Sequence, residues 1–311
     1  MNFAVLIATR NRPEQLNTLL GSLSKSVNRI SQVTIVSSGT NVSEIINNHR
    51  PYLPLTYLHS EISGQIAQKM KGIELILSNT DWVLFLDDDL VISEDAIDNL
   101  IDNYLNNSKY KDVAGFGLNL NNIELRGQNK FMALFLKLVG LHSDTSGLIL
   151  QNGHAQRYLD SNNDIYTQWL NGLSVWRFNL LKNYNPKFSR IDYAAYEDVI
   201  FSYQISKQYK LLFIAGVYAN NQHHEKYSSL SASKFKAAAY MRYLFVVENK
   251  ELSKLLMLFA QFFRTLDFIR GGEPSKSLFY RTLFSVKILF DLLFATLTRV
   301  EPLRLLTKRY N

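Results

Sequence analysis

Two rhythms of apolar positions alternate along the first 225 residues. Phe3 to Ala8 is an unbroken apolar run, which predicts a strand. The polar loop Thr9–Glu14 follows, with Pro13 where a helix would begin, and Leu16, Leu19, Leu20 and Leu23 then recur at helical spacing. The alternation continues with a strand at Gln32–Ser37, a short helix at Val42–Asn48 and a strand at Leu55–Leu58. Ser63-Gly64 opens a helix to about Leu77, and Trp82–Leu86 is the next strand. Glu94–Leu105 reads as helix and Val113–Leu118 as strand. Residues 121–165 scatter Gly, Asn and Asp around an apolar piece at 131–141 and give no clear element. Trp169–Arg177 reads as a strand with a glycine where a ligand or backbone comes close. Val199–Gln208 reads as helix, and Lys210–Ile214 and Val217–Ala219 as short strands. Strands alternating with helices predict an α/β fold with a mostly parallel, doubly wound sheet.

After residue 225 only the helical rhythm remains, at Ala232–Glu248, Leu252–Ile269 and Leu278–Thr298, with a break at Gly271-Gly272-Glu273-Pro274. The expected organisation is therefore a domain over 1–225 and a helical C-terminal region over 226–311. Arg281, Lys287 and Asp291 interrupt the last helix, so its apolar runs fall short of the ~20 residues that cross a bilayer. Its leucine and aromatic faces with basic flanks fit a helix lying in the headgroup region.

Charge sharpens this division. The net charge is +7. Residues 226–311 hold 15 Lys and Arg against 6 Asp and Glu, whereas residues 1–225 hold 19 against 21. A basic helical tail on a near-neutral domain predicts an anionic partner, either nucleic acid or the lipid headgroups of a membrane. The competing reading is that the helical faces pack on the main domain. The basic residues are spaced along helices rather than clustered, which argues against nucleic acid. The absence of cysteine excludes disulfides and cysteine-ligated zinc and fits a reducing compartment. Met1–Ile7 carries no basic region ahead of its apolar run and reads as a strand, not a signal peptide. The expected location is cytoplasmic, peripheral on the inner face of the cell membrane.

The candidate chemistry begins at Asp87-Asp88-Asp89. These acids end a buried-type strand, at the edge where open α/β sheets place their ligands. Three adjacent carboxylates repel one another, and a hard divalent cation would compensate them. A solvated turn capping the helix near Ser93 is the competing reading. Glu197-Asp198, just before a helix, fits either an N-terminal cap or an acid–base pair. His223-His224 fits either a metal ligand or an exposed loop.

Taken in order, six patches resemble an inverting family 2 glycosyltransferase of the GT-A fold, over about residues 3–225. Val5–Arg12 resembles that family's first strand and nucleotide loop, and Gly64–Gly72 resembles its glycine-to-Arg-Asn-x-Gly segment. Leu86–Asp89 resembles its Asp-x-Asp element, and Gly172–Arg177 its acceptor-side strand. Tyr196-Glu197-Asp198 resembles the Glu-Asp pair holding the catalytic base, and His223-His224 falls where a metal-binding His often closes the domain.

The resemblance implies transfer of a sugar from a nucleotide-diphosphate donor to a saccharide or lipid-linked acceptor, as in bacterial surface polysaccharide or glycolipid assembly. Asp198 would be the base, with Glu197 beside it. Asp89, Asp87 and one of His223 or His224 would hold Mg²⁺ or Mn²⁺. Thr9, Arg10, Ser37, Ser38, Lys69, Asp87 and Asp88 would line the nucleotide, Asp88 alternatively facing solvent or orienting its loop. Gly172, Trp176 and Tyr196 would face the acceptor. Two positions depart from the family pattern. Ser37-Ser38-Gly39-Thr40 stands where a base-recognising Asp is usual, and Lys69 stands for an Arg, keeping charge but not the bidentate fork. Competing readings are a sugar-1-phosphate nucleotidyltransferase and a non-catalytic binding protein of the same fold. The first would want a glycine-rich basic loop after the first strand, where this chain has Thr9–Pro13 without glycine.

Overall fold

The computed structural model describes residues 1–121, 136–137, 140, 142–156, 158, 163–182, 184, 195–222, 231–272 and 275–298. The chain divides into two compact units. The first comprises Met1–Leu125, Asp160–Asp192 and Phe201–His224, and the second comprises Arg126–Leu159, Tyr193–Ile200 and Glu225–Asn311.

The first unit is built on a sheet with nine strands among the described residues: β1 (Phe3–Arg10), β2 (Gln32–Ser38), β3 (Leu55–His59), β4 (Trp82–Asp87), β5 (Leu90–Ile92), β6 (Val113–Asn121), β7 (Ile165–Thr167), β8 (Ser174–Arg177) and β9 (Lys210–Asn221). Their order is β3-β2-β1-β4-β8-β6-β9-β5, with β7 also on β9. The β3-β2-β1-β4 half is parallel. Beyond it the sheet is mixed, since β8 runs antiparallel to both neighbours, β6 and β9 pair in parallel, and β5 and β7 run antiparallel to β9.

Both faces of β1, β2 and β4 are covered, which is why β1 and β4 read as continuous apolar runs, whereas β3 at the edge is only half-buried. Phe3, Val5 and Ile7 face one core with Leu16, Leu19, Leu20 and Leu23 of α1 (Pro13–Leu23). Ala4 and Leu6 face a second core with Val83, Phe85 and Trp176. Helix α2 (Ser43–His49) adds Ile46 to the first core, and Gly72 of α3 (Gln65–Leu75) lies so near Leu6 that an added Cβ would fall 2.1 Å from its Cδ1. The helix expected over 94–105 is split into α4 (Ala96–Leu100) and a π-helical turn at Ile101–Leu105. A short α5 (Phe178–Leu181) follows β8.

Other expectations change as well, and the strand expected over Trp169–Arg177 is confined to Ser174–Arg177. The residues after the acids form β5, paired with the far end of β9 through Leu90 and Asn221. The two short strands at 210–219 are one strand, β9. Its register against β6 jumps from Leu118–Ile214 to Asn119–Tyr218, so the residues between bulge out and split the apolar pattern. Helix α6 (Glu197–Ser206) starts two residues earlier than expected, placing Glu197 and Asp198 in its first turn.

The second unit contains α7 (Ala232–Glu248), α8 (Lys254–Gly271) and α9 (Leu278–Thr298). Ser231 and Ser253 cap α7 and α8 by accepting from the amides of Lys234 and Leu256. Tyr240 donates to Asp291 at 2.8 Å and Thr296 bonds Tyr243 at 3.1 Å, tying α7 to α9. No described helix is long and apolar enough to cross a membrane. Leu278, Phe279, Leu283, Phe290, Phe294 and Leu297 of α9 are exposed.

Candidate functional site

Three parallel strands end together. Ala8 pairs with Asp87, Thr9 with Ser37 and Arg10 with Ser38, so the carboxyl ends of β1, β2 and β4 share one edge. Such an edge is the usual ligand crevice of open α/β sheets.

The three acids at this edge take different environments: Asp87 ends β4, whereas Asp88 and Asp89 form the turn into β5. Asp88 is buried, at 5% exposure. It neither faces solvent nor stands unpaired: Thr9 Oγ1 donates to its Oδ2 at 2.6 Å, and Arg12 Nη1 donates to its Oδ1 at 2.9 Å. Burial pushes the Asp88 carboxyl above the usual carboxylate range, against the opposing pull of Thr9 and Arg12. Burial alone would lower the Arg12 guanidinium, but Asp88 and Asp89 outweigh it and hold it above its usual value. The same Nη1 lies 2.9 Å from Asp89 Oδ2. Asp87 and Asp89 are half-buried, and Gln65 donates to Asp87 Oδ1 at 3.1 Å. Gly172 leaves room beside Asp87, where an added Cβ would stand 3.2 Å from Oδ2.

The backbone of the acid loop is held from the far end of β9. Gln222 N–H donates to Asp89 O at 2.9 Å. Its side-chain amide reaches the carbonyls of Gln15, Leu90 and Asp88 at 2.9, 3.0 and 3.3 Å. On the other side, the buried Gln68 amide donates to the carbonyls of Thr9 at 2.7 Å and Val36 at 3.0 Å, bridging β1 and β2. Asn11, at φ +57, receives both the amide and hydroxyl of Thr40 on its Oδ1. Gly39 is required there: its φ is +75, and a Cβ would lie 2.1 Å from Asn11 Oδ1.

The other expected nucleotide residues are placed as follows. Ser37 Oγ lies 2.9 Å from both Tyr57 Oη and His59 Nδ1, within the sheet edge. Ser38 is buried and its hydroxyl lacks a partner among the described residues. Arg10 is exposed. Lys69 is buried with its Nζ over the Phe85 ring at 5.2 Å. Trp176 belongs to the apolar core at 1% exposure, with Nε1 donating to Ser174 Oγ, so its ring is not a platform open to a sugar. His223 and His224 lie outside the described residues.

Tyr196, Glu197 and Asp198 fall in the second unit. Tyr196 has φ +78, a strained value for a bulky residue. Its hydroxyl donates to Gly153 O at 2.7 Å and accepts from Ala155 N at 2.8 Å. Glu197 is buried, and the half-buried Asp198 accepts from the Val199 amide on Oδ1 at 2.8 Å.

Arg12, Gln65, Gln68 and Gln222 were not singled out from sequence. Arg12 carried a usable signal, as a cation in the loop directly after an apolar strand. The glutamines carried none, because an amide that bonds backbone carbonyls leaves no pattern in composition or spacing.

Residues 4–142 match the family described as glycosyl transferase family 2. In structure the chain is similar to S. aureus TarS 1–349 in complex with UDP-GlcNAc, at TM-score 0.54 and 15% identity over 96% of this chain and 92% of that one. It is also similar to the mannosyltransferase PcManGT from Pyrobaculum calidifontis in complex with GDP-Man and Mn2+, at TM-score 0.54 and 13% identity over 99% and 83%. GalNAc-T7 with UDP, GalNAc and Mn2+ is similar at TM-score 0.56 and 11% identity, over 97% and 58%. These structural likenesses show the fold alone, which is GT-A-like: α/β, with a mixed sheet and C-terminal helices. No protein of curated function matches the chain in sequence.

Proposed function

We propose that this chain, a family 2 glycosyltransferase by its residues 4–142, moves a sugar from a nucleotide-diphosphate donor to a hydroxyl of a saccharide or lipid-linked acceptor with inversion. The observation that carries the reading is the shared edge of β1, β2 and β4, where Asp87 and Asp89 stand on a loop fixed by Thr9, Arg12 and Gln222. Asp88 is the inner anchor of that loop, and Asp87 and Asp89 flank it at the edge.

The acceptor hydroxyl oxygen attacks the anomeric carbon as the bond to the diphosphate breaks, and its proton passes to a base. Asp198 is assigned that role, with Glu197 beside it in the first turn of α6. The positive end of that helix favours the ionised carboxylate. Asp89, with Asp87 directly or through water, would hold Mg²⁺ or Mn²⁺, which suit hard carboxylate oxygens. When bound, such an ion neutralises the leaving diphosphate. Among the described residues no group of three His, Cys, Asp or Glu side chains could enclose an ion, and His223 or His224, outside those residues, is the further ligand we assign. The donor is of hexosyl or deoxyhexosyl type.

The exposed apolar residues of α9 and the basic balance of residues 226–311 support a peripheral seat on an anionic membrane. Replacing Phe279 and Phe290 by Ser should lower co-sedimentation of the full chain with anionic liposomes; unchanged sedimentation would remove the membrane seat.

The transfer reading is tested with a panel of nucleotide sugars, Mg²⁺ or Mn²⁺, and saccharide or lipid-linked acceptors. Wild type should release nucleotide with acceptor present, Asp89→Ala should lose metal-dependent donor binding, and Asp198→Asn should bind donor without transfer. Nucleotide release at background in the wild type, equal to Asp198→Asn, sinks the reading and favours a non-catalytic binding protein.

A further inference from the structure

Half of the buried side-chain polar atoms without a hydrogen-bond partner among the described residues belong to one helix pair of the second unit. They are Arg242 Nε and Nη1, Gln261 Nε2 and Oε1, and Thr265 Oγ1. Native proteins leave few such groups, so a cluster of them calls for a ligand or ordered solvent.

Helix register brings these groups to one stretch of the hairpin. Helices α7 and α8 are joined by residues 249–253 and so run antiparallel. Phe235 stacks on Phe268 across them at 4.4 Å. Arg242 follows Phe235 by seven residues, and Gln261 precedes Phe268 by seven. Seven residues make close to two helical turns, so both return to the face of the stacked pair, at matching heights. Thr265 is one turn from Gln261 on the same face.

The stretch is covered by a turn without negative charge. Gly153 comes near enough that an added Cβ would lie 2.4 Å from Val246 and 3.5 Å from Arg242 Cγ. His154 accepts at Nδ1 from Arg264 Nη2 at 2.9 Å, which makes its ring neutral with the proton on Nε2. Arg242 is 2% exposed and makes no ion pair among the described residues. Its guanidinium rests on the Tyr196 ring at 5.3 Å, a contact that offsets part of the charge but accepts none of the in-plane N–H groups.

We infer that this stretch is a receptor for a phosphate group. A planar guanidinium with unmet donors matches phosphate oxygens, and a neighbouring amide and hydroxyl can add further donors. The phosphate has two sources, free inorganic phosphate or the phosphate of a lipid-type acceptor. The second source rests on the proposed transfer function. Tyr196, against which Arg242 packs, directly precedes Glu197 and Asp198, so an acceptor phosphate held there would sit beside the assigned base.

The test uses the full chain and two probes, inorganic phosphate and dihexanoyl phosphatidic acid below its micellar concentration, with chloride at equal ionic strength as reference. Saturable rises in Tm and broadening of the ³¹P line are expected for the wild type. Arg242→Met should weaken both by at least about tenfold. Gln261→Leu, which keeps the cation, should weaken them less, and far-UV circular dichroism checks that both variants fold. A response to inorganic phosphate alone supports a free oxyanion, and a response to the phosphatidic acid supports an acceptor phosphate. Failure of both probes to act on the wild type beyond chloride overturns the inference, as does a wild-type response in both variants. Donor nucleotide release, measured on the same samples, separates the readings: its absence alongside intact phosphate binding sinks the transferase and leaves the receptor standing.

Discussion

Asp88 of the first unit and Arg242 of the second are both buried charges, and the two are treated in opposite ways. In the first unit Asp88 has lost its water but gained a hydroxyl from β1 and a guanidinium from the loop that follows it. In the second unit Arg242 is buried on a ring face and, among the described residues, its Nε and Nη1 have no hydrogen-bond partner. A buried ion whose hydration is replaced by fixed protein groups is part of the frame. A buried ion without that replacement has surplus capacity for binding. The contrast teaches that burial alone does not identify a functional charge; the completeness of its partners does.

The largest effect should fall on neither charge. Asp198→Asn should lower turnover about 10³-fold with donor affinity unchanged, the usual scale for a lost general base, as read by steady-state kinetics and donor titration. Near-normal turnover would move the base elsewhere. Asp88→Ala should cost about 2 kcal/mol in urea unfolding, because it strands the buried Thr9 hydroxyl and removes an Arg12 partner. Arg242→Met, measured without phosphate, should go the other way, leaving the chain more stable by about 1 kcal/mol, since an apolar side chain relieves an uncompensated buried cation. A loss comparable to that of Asp88→Ala would erase the contrast.

The smallest effect is on pH dependence. Burial raises the folded Asp88 carboxyl above its unfolded value of 3.8, so the native state keeps a proton that the unfolded chain has released. This contribution to stability is complete below pH 3.8 and is lost as pH rises through the folded value. Asp88→Asn should flatten that part of the unfolding profile; an unaltered profile would mean that burial is fully compensated.

What was legible in the sequence follows from burial. β1 and β4 were found within about a residue or two because strands covered on both faces must be continuously apolar. β5 and β7, three residues each, are too short for any period to show. β9 was divided because Ala215 and Gly216 leave the ladder. At the site the acid triplet was visible, but its internal division was not. Which of Asp87, Asp88 and Asp89 turns inward depends on strand register and on the reach of Arg12, neither of which composition carries. Trp176, expected to face the acceptor, instead packs against Phe201, with ring centroids 4.8 Å apart.

The clasp of Gln222 on the acid loop has a consequence for synthesis. Among the described residues, Gln222 donates to the loop carbonyls of Asp88, Asp89 and Leu90 from more than a hundred positions later. A nascent chain that has already paired β1, β2 and β4 still lacks the clamp that shapes its donor edge. The acid loop takes its final form only once residue 222 has left the ribosome, so an incomplete chain carries the fold's first half without a finished site.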